Sequence, residues 1–153
     1  MNRALRVFHQ LQVAHSALFR AADQRARSET GLTTTQLAVL FVLDRRDGQP
    51  ISEIAKALAM GKSSLTGLID RMCEKGLVKR LDSSKDGRIT NIYLQDLGRQ
   101  ALDSNSHKTK QINQALLAPF SVREQETIRR FLEHIAENAG EIINLDVVTK
   151  RKY

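Results

Sequence analysis

The stretch Ile51–Leu94 constrains this chain more than any other: ISEIAKALAMGKSSLTGLIDRMCEKGLVKRLDSSKDGRITNIYL. It opens at a helix start. Ser52 can accept a bond from the free amides of a first turn, and Glu53 suits the positive end of the helix dipole. Ile54, Ala55 and Leu58 then fall on one face at helical spacing. Ala59-Met60-Gly61 reads as a turn, with Gly61 free to take the backbone angles of a sharp bend. A second helix is expected from about Lys62 to Lys75. Leu65, Leu68, Ile69 and Met72 form its buried stripe, and Gly76 ends it with a left-handed cap. Two apolar-basic alternating segments follow, Leu77–Leu81 and Ile89–Leu94. Asp82-Ser83-Ser84-Lys85-Asp86-Gly87-Arg88 joins them, and Asp86-Gly87 is its turn signal. The unit is therefore helix, turn, helix and a two-stranded basic hairpin.

The solvent face of the second helix carries Lys62, Ser63, Ser64, Thr66, Gly67, Asp70 and Arg71. Short hydrogen-bonding and cationic side chains gathered at an N-terminal end are the chemistry of a helix that enters a DNA major groove. A plainly solvated face is the alternative. Lys85 and Arg88 flank the hairpin turn, and a cationic tip can enter a minor groove or clamp phosphates. Lys62, Arg71, Lys85 and Arg88 are assigned mainly to phosphates or the minor groove. Ser63, Ser64 and Thr66 are assigned to base edges and nearby phosphates. Asp86 is expected to hold Arg88 in place, because phosphate would repel a free carboxylate.

LVKRLDSSKDGRITNIYLQDLGRQAL closely resembles the wing segment of the MarR family of winged-helix regulators, through Arg80, Asp82, Lys85, Asp86, Gly87, Arg88, Leu94 and Gly98. ISEIAKALAMGKSSLTGLIDRMCEKGLVKR is similar to that family's helix-turn-helix. The resemblance covers about the middle half of the chain in detail and the rest in helix order. Three positions depart from the pattern. Lys85 stands where Arg is commoner, Gln95 replaces the usual Thr before the next helix, and Gly67 sits where a basic residue often reaches DNA.

From Met1 to about Arg27 one long helix is expected, with Ala4, Phe8, Leu11, His15, Leu18 and Ala22 along one side. His15 is either a partly buried histidine with a hydrogen-bond partner or a polar group lining a ligand cavity. After Leu32-Thr33, a Thr N-cap and a strongly apolar run suggest a second, buried helix to about Arg46. A run of Val and Leu could also be a strand; the Thr cap, the length and the resemblance favour helix, with Asp47-Gly48-Gln49-Pro50 as a turn. After the hairpin, Asp96 is expected to cap a helix from about Leu97 to Leu117. Its polar middle, Ser104–Gln111, suits a span between two lobes. Pro119 breaks it. Ser121-Val122-Arg123-Glu124 is a capping box, and Ile128, Phe131, Leu132, Ile135, Ala139 and Ile142 form the stripe of the last helix. Thr149–Tyr153 reads as a frayed basic tail.

Composition removes several function classes. The net charge of +7 favours polyanionic partners. The absence of Trp argues against a base-stacking single-strand binder. No phosphate-cradling Gly loop, zinc-helix motif or nucleophile elbow is present, so no enzyme and no cofactor or metal is expected. No apolar run reaches a membrane span and no secretory signal is read. The single cysteine, Cys73, cannot form an intrachain disulfide, and Glu74 beside it disfavours the thiolate. A cytoplasmic protein of bacterial type, nucleoid-associated when bound, is expected.

The expected fold is mainly α with a small β-hairpin wing. Residues 31–96 form a winged helix-turn-helix lobe, and residues 1–30 and 97–148 form a helical dimerisation lobe. The apolar stripes of the terminal helices need a cover, which a second copy supplies. The expected partners are a homodimer mate and double-stranded DNA with a pseudo-palindromic operator. The expected role is a regulator, more often a repressor. The resemblance also implies release by a small anionic or aromatic effector, with His15 as its candidate contact. A winged-helix adaptor that binds protein without sequence-specific DNA binding is the rival reading.

Overall fold

In the computed structural model the residues described are 5–83, 85 and 87–144. The elements are α1 (Val7–Thr30), α2 (Thr34–Arg45), β1 (Gln49–Pro50), α3 (Ile51–Ala57), α4 (Lys62–Glu74), β2 (Val78–Asp82), β3 (Thr90–Leu94), α5 (Asp96–Leu117) and α6 (Val122–Ile143). They fall into two compact units that divide between Ser106 and His107, inside α5.

The core of the first unit is built by the predicted stripes. Val39, Leu40 and Leu43 of α2, Ile54 of α3, and Leu65, Ile69 and Met72 of α4 are fully buried, with Val78 and Ile92 from the sheet. The Val- and Leu-rich run of α2 is helical because its start is strongly capped. Thr33 Oγ1 accepts the Gln36 amide, and the Gln36 side chain accepts the Thr33 amide. Asp23 of α1 accepts the Thr34 amide at 2.9 Å and the Arg27 Nε at 2.7 Å, so α1 and the start of α2 are tied. The Arg27 bond comes first, and the Thr34 amide second, in holding the Asp23 carboxyl below its ordinary value. Gly31, at φ 70°, closes α1.

Two local expectations about the helix pair are corrected. Ser52 is no cap: α3 begins at Ile51 behind Pro50, which makes no side-chain cap bond. Proline is already set at φ −67°, so the helix starts one residue early. The left-handed residue between α3 and α4 is Ala59, at φ 51°, whereas Gly61 is extended at φ −68°. The Met60 amide donates to the Ala55 carbonyl and the Ala59 amide to Lys56, which closes α3 as a Schellman motif with Ala in the place usually given to Gly. Gly76 closes α4 in the same way at φ 69°, with Leu77 bonded to Met72 and Gly76 to Cys73.

The sheet has three strands in the order β1-β3-β2, all antiparallel. Gln49 and Pro50, expected in a turn, pair with Ile92 and Asn91. A two-residue strand is too short to show a period, and its proline is tolerated at a sheet edge. Buried Gln49 turns its Nε2 back to the carbonyls of Val42 and Arg46 at the end of α2.

Asp47 joins the root of the sheet to α5. It accepts the Leu94 amide at 2.9 Å and pairs with Arg99 at 3.0 Å. Asp96, expected as a cap, is the first residue of α5 itself. Gln95 precedes it, its carbonyl accepting the Arg99 amide and its Nε2 donating to the Val78 carbonyl. Gly98 lets α5 approach closely, since a Cβ there would lie 2.3 Å from the Leu77 carbonyl oxygen.

In the second unit, α6 starts at the predicted capping box. Ser121 and Glu124 each accept the other's amide, and the Ser121 hydroxyl also donates to the Glu124 carboxylate at 2.7 Å; that hydroxyl first and the Ser121 amide second hold the carboxyl below its ordinary value. No residue of α6 is buried. In the first unit α1 buries only Ala26 and leaves Phe8, Val13, Leu18 and Phe19 exposed. Asp86 and Thr149–Tyr153, to which roles were assigned from sequence, lie outside the described residues. Among the described residues no helix is long and apolar enough to cross a membrane.

Candidate nucleic-acid interface

The physical basis of the candidate surface is the two-sidedness of α4. Leu65, Leu68, Ile69 and Met72 occupy one side and are buried. The 100° step per residue then forces Lys62, Ser63, Thr66, Gly67, Asp70 and Arg71 onto the other. Lys62, Ser63 and Ser64 are exposed in the first turn, where free amides add their own partial positive charge. Gly61, with no side-chain cap bond, precedes them. Thr66 is half-buried and donates its hydroxyl to the Lys62 carbonyl at 2.9 Å, leaving lone pairs to accept. Arg71 folds back along the helix, so that a Cβ added at Gly67 would meet its Nη1 at 3.6 Å. Its guanidinium therefore reaches the level of the missing side chain.

The structure thus brings five of the predicted residues, Lys62, Ser63, Ser64, Thr66 and Arg71, onto one helix. Lys85 and Arg88 lie exposed in the connection between β2 and β3. Ser83 sets the near side of that connection by donating its amide to the Ile89 carbonyl at 2.7 Å and accepting the Lys85 amide on its hydroxyl at 3.3 Å. The proposed support from Asp86 concerns a residue that is not described.

One contact that sequence reasoning missed joins the two elements. Arg80 Nη2 of β2 donates to Asp70 Oδ1 of α4 at 2.6 Å. Both residues are legible individually, but they lie ten positions apart across a turn, and no period links them.

His15 is exposed on α1 and stacks on Phe19, with ring centroids 4.3 Å apart. It has no buried setting in the protomer. Phe19 lies on the edge of an open groove of about 560 Å³ bounded by α1, the start of α2 and α4, where Arg20, Thr35, Met60, Ser64 and Arg71 also stand. The walls of this groove include neither His15 nor any residue of α5. Cys73 is half-buried and free. Among the described residues no cluster of His, Cys, Asp or Glu could hold a metal ion.

Comparison with known proteins places this geometry. The sequence profile of the MarR family matches residues 30–89, from the end of α1 to the hairpin connection. The transcriptional regulator AdcR of Streptococcus pneumoniae is 30% identical over 108 residues, covering 69% of this chain and 73% of AdcR. The transcriptional repressor IacR of Pseudomonas putida is 26% identical over 115 residues, 75% of this chain and 69% of IacR. Among solved structures, the M. tuberculosis transcriptional regulator MOSR in complex with DNA superposes with a TM-score of 0.75 at 26% identity, covering 89% of this chain and 97% of that one.

Proposed function

The chain belongs to the MarR family and is a DNA-binding transcriptional regulator of that type, and from this premise we propose that it acts as a twofold dimer reading a pseudo-palindromic operator. The observation that carries the reading is the exposed half of α4, polar and cationic at its N-terminal end, together with the exposed cations of the hairpin connection. In this reading α4 enters the major groove. Ser63, Ser64 and Thr66 reach base edges, Lys62 and Arg71 hold phosphates, and Lys85 and Arg88 enter the minor groove or clamp its walls. Asp86 holds Arg88 in place.

The dimer is supported by what each unit leaves uncovered. In the first, Phe8, Leu18 and Phe19 of α1 are exposed; in the second, Phe131, Leu132 and Ile142 of α6. A second copy covers such faces by symmetry and sets two α4 helices about one DNA turn, ~10 bp, apart. Residues 31–96 serve as the DNA-binding lobe, with 1–30 and 97–148 as the dimerisation lobe. The protein works in the cytoplasm and represses by covering promoter DNA; the P. putida relative is named a transcriptional repressor. A small anionic or aromatic ligand releases the DNA by favouring a half-site spacing that does not fit it. His15, stacked on Phe19, is the candidate contact. Calorimetry with aromatic acids tests this regulation separately, and loss of DNA release in the presence of a bound acid would refute it.

Titration of a duplex selected from a random library, repeated across salt concentrations, tests the function. Affinity should fall steeply as salt rises, since neutralised phosphates release counterions. Binding with no salt slope would favour a protein adaptor.

A further inference from the structure

The exposed half of α4 holds an acid where the proposed reading needs none. Asp70 shares its face with Ser63 and Thr66, and a carboxylate beside DNA phosphates is repelled. Arg80 answers it from another element. On β2, strand alternation puts Arg80 on the same side as buried Val78, next along toward the hairpin connection, and opposite buried Ile92 of β3. From that inner side its guanidinium reaches Asp70 at 2.6 Å. Arg80 is 33% exposed and Asp70 58%, so the cation is the more sheltered partner and the acid the more outward one.

We propose that Arg80 assists recognition through Asp70: it cancels the carboxylate on the DNA-facing side of α4 and braces the hairpin against that helix. Arg80 is then a positioning residue, and the pair presents no net charge to the phosphates. The inference rests on the reading of α4 and the hairpin as the DNA-contacting elements. The cations assigned to DNA, Lys62, Arg71, Lys85 and Arg88, gain a neutral background against which to act.

Salt-dependent titration of one selected duplex separates this from direct phosphate contact. Each phosphate neutralised contributes about 0.9 to the magnitude of the log–log slope. Arg80→Ala exposes the Asp70 charge and should make the slope shallower by about one unit. Asp70→Ala releases the guanidinium and should make it steeper by about one unit, tightening binding to unrelated duplexes. The double variant should return to the wild-type slope. A double variant as shallow as Arg80→Ala would mean that Arg80 itself grips phosphate, and would overturn the proposal. Asp70→Asn with Arg80→Gln preserves shape and gives the same comparison should an alanine variant lose its fold. Wild-type protein without any salt slope would instead overturn the DNA reading, and the proposal with it.

Discussion

Arg88 offers the sharpest residue-level test of the hairpin. Arg88→Ala should leave the dimer intact, weaken operator binding, and reduce the salt slope by about one unit. Unchanged affinity on titration would remove the hairpin from the interface. Two backbone positions test the scaffold beneath it. Gly98→Ala forces a Cβ against the Leu77 carbonyl, which is main chain and cannot turn aside. We expect a loss of roughly 1–3 kcal/mol in denaturant unfolding, as for other overpacked sites. Ala59→Gly should act in the opposite direction. A left-handed alanine is strained by about 1–2 kcal/mol, and glycine returns part of that as extra freedom in the unfolded chain. The expected gain is roughly 0.5 kcal/mol, and a lower midpoint for this variant would contradict the geometry assigned to the turn.

At the level of elements, caps and joints decide where helices begin. The Ser121–Glu124 box holds the Glu124 carboxyl below its ordinary 4.5, through the Ser121 hydroxyl first and its amide second. Folded Glu124 therefore takes up its proton at lower pH than unfolded Glu124. The stabilisation is complete above about pH 4.5 and is lost as pH falls through the folded value. Thermal melts should show the wild type and Glu124→Gln converging as pH drops below 4.5, and diverging in favour of the wild type above it. Sequence alone made the Ser121 box and a threonine cap before α2 legible, each marked by residue type and by the apolar run that follows, whereas the Thr33–Gln36 box itself emerged only in the structure. The stripe of α4 was legible for the same reason, since a 3.6-residue period repeats within thirteen residues. What escaped was non-local or too short to repeat. β1 is two residues long, Asp47 finds Leu94 and Arg99 across about fifty positions, and Arg80 finds Asp70 across a turn. The left-handed residue escaped because Gly61 is the better candidate by type, while the hydrogen-bond closure of α3 fell on Ala59.

At the level of the molecule, the terminal helices carry apolar side chains that the protomer leaves exposed. Leu132 and Phe131 of α6 stand out, because their helix buries nothing at all. Leu132→Asp with Phe131→Asp should give a monomer in sedimentation velocity with helical content retained. Operator affinity should drop by about a hundredfold or more, because two linked half-site contacts become one. A dimer that survives this change would place the partner surface elsewhere. The most direct measurement of the whole account is a hydroxyl-radical footprint of the wild-type protein on a selected duplex. Two symmetric protected patches should lie about one helical turn, ~10 bp, apart on one side of the DNA, with flanking minor-groove protection that disappears in Arg88→Ala. A single unsymmetric patch, or flanks unchanged by that substitution, would contradict it.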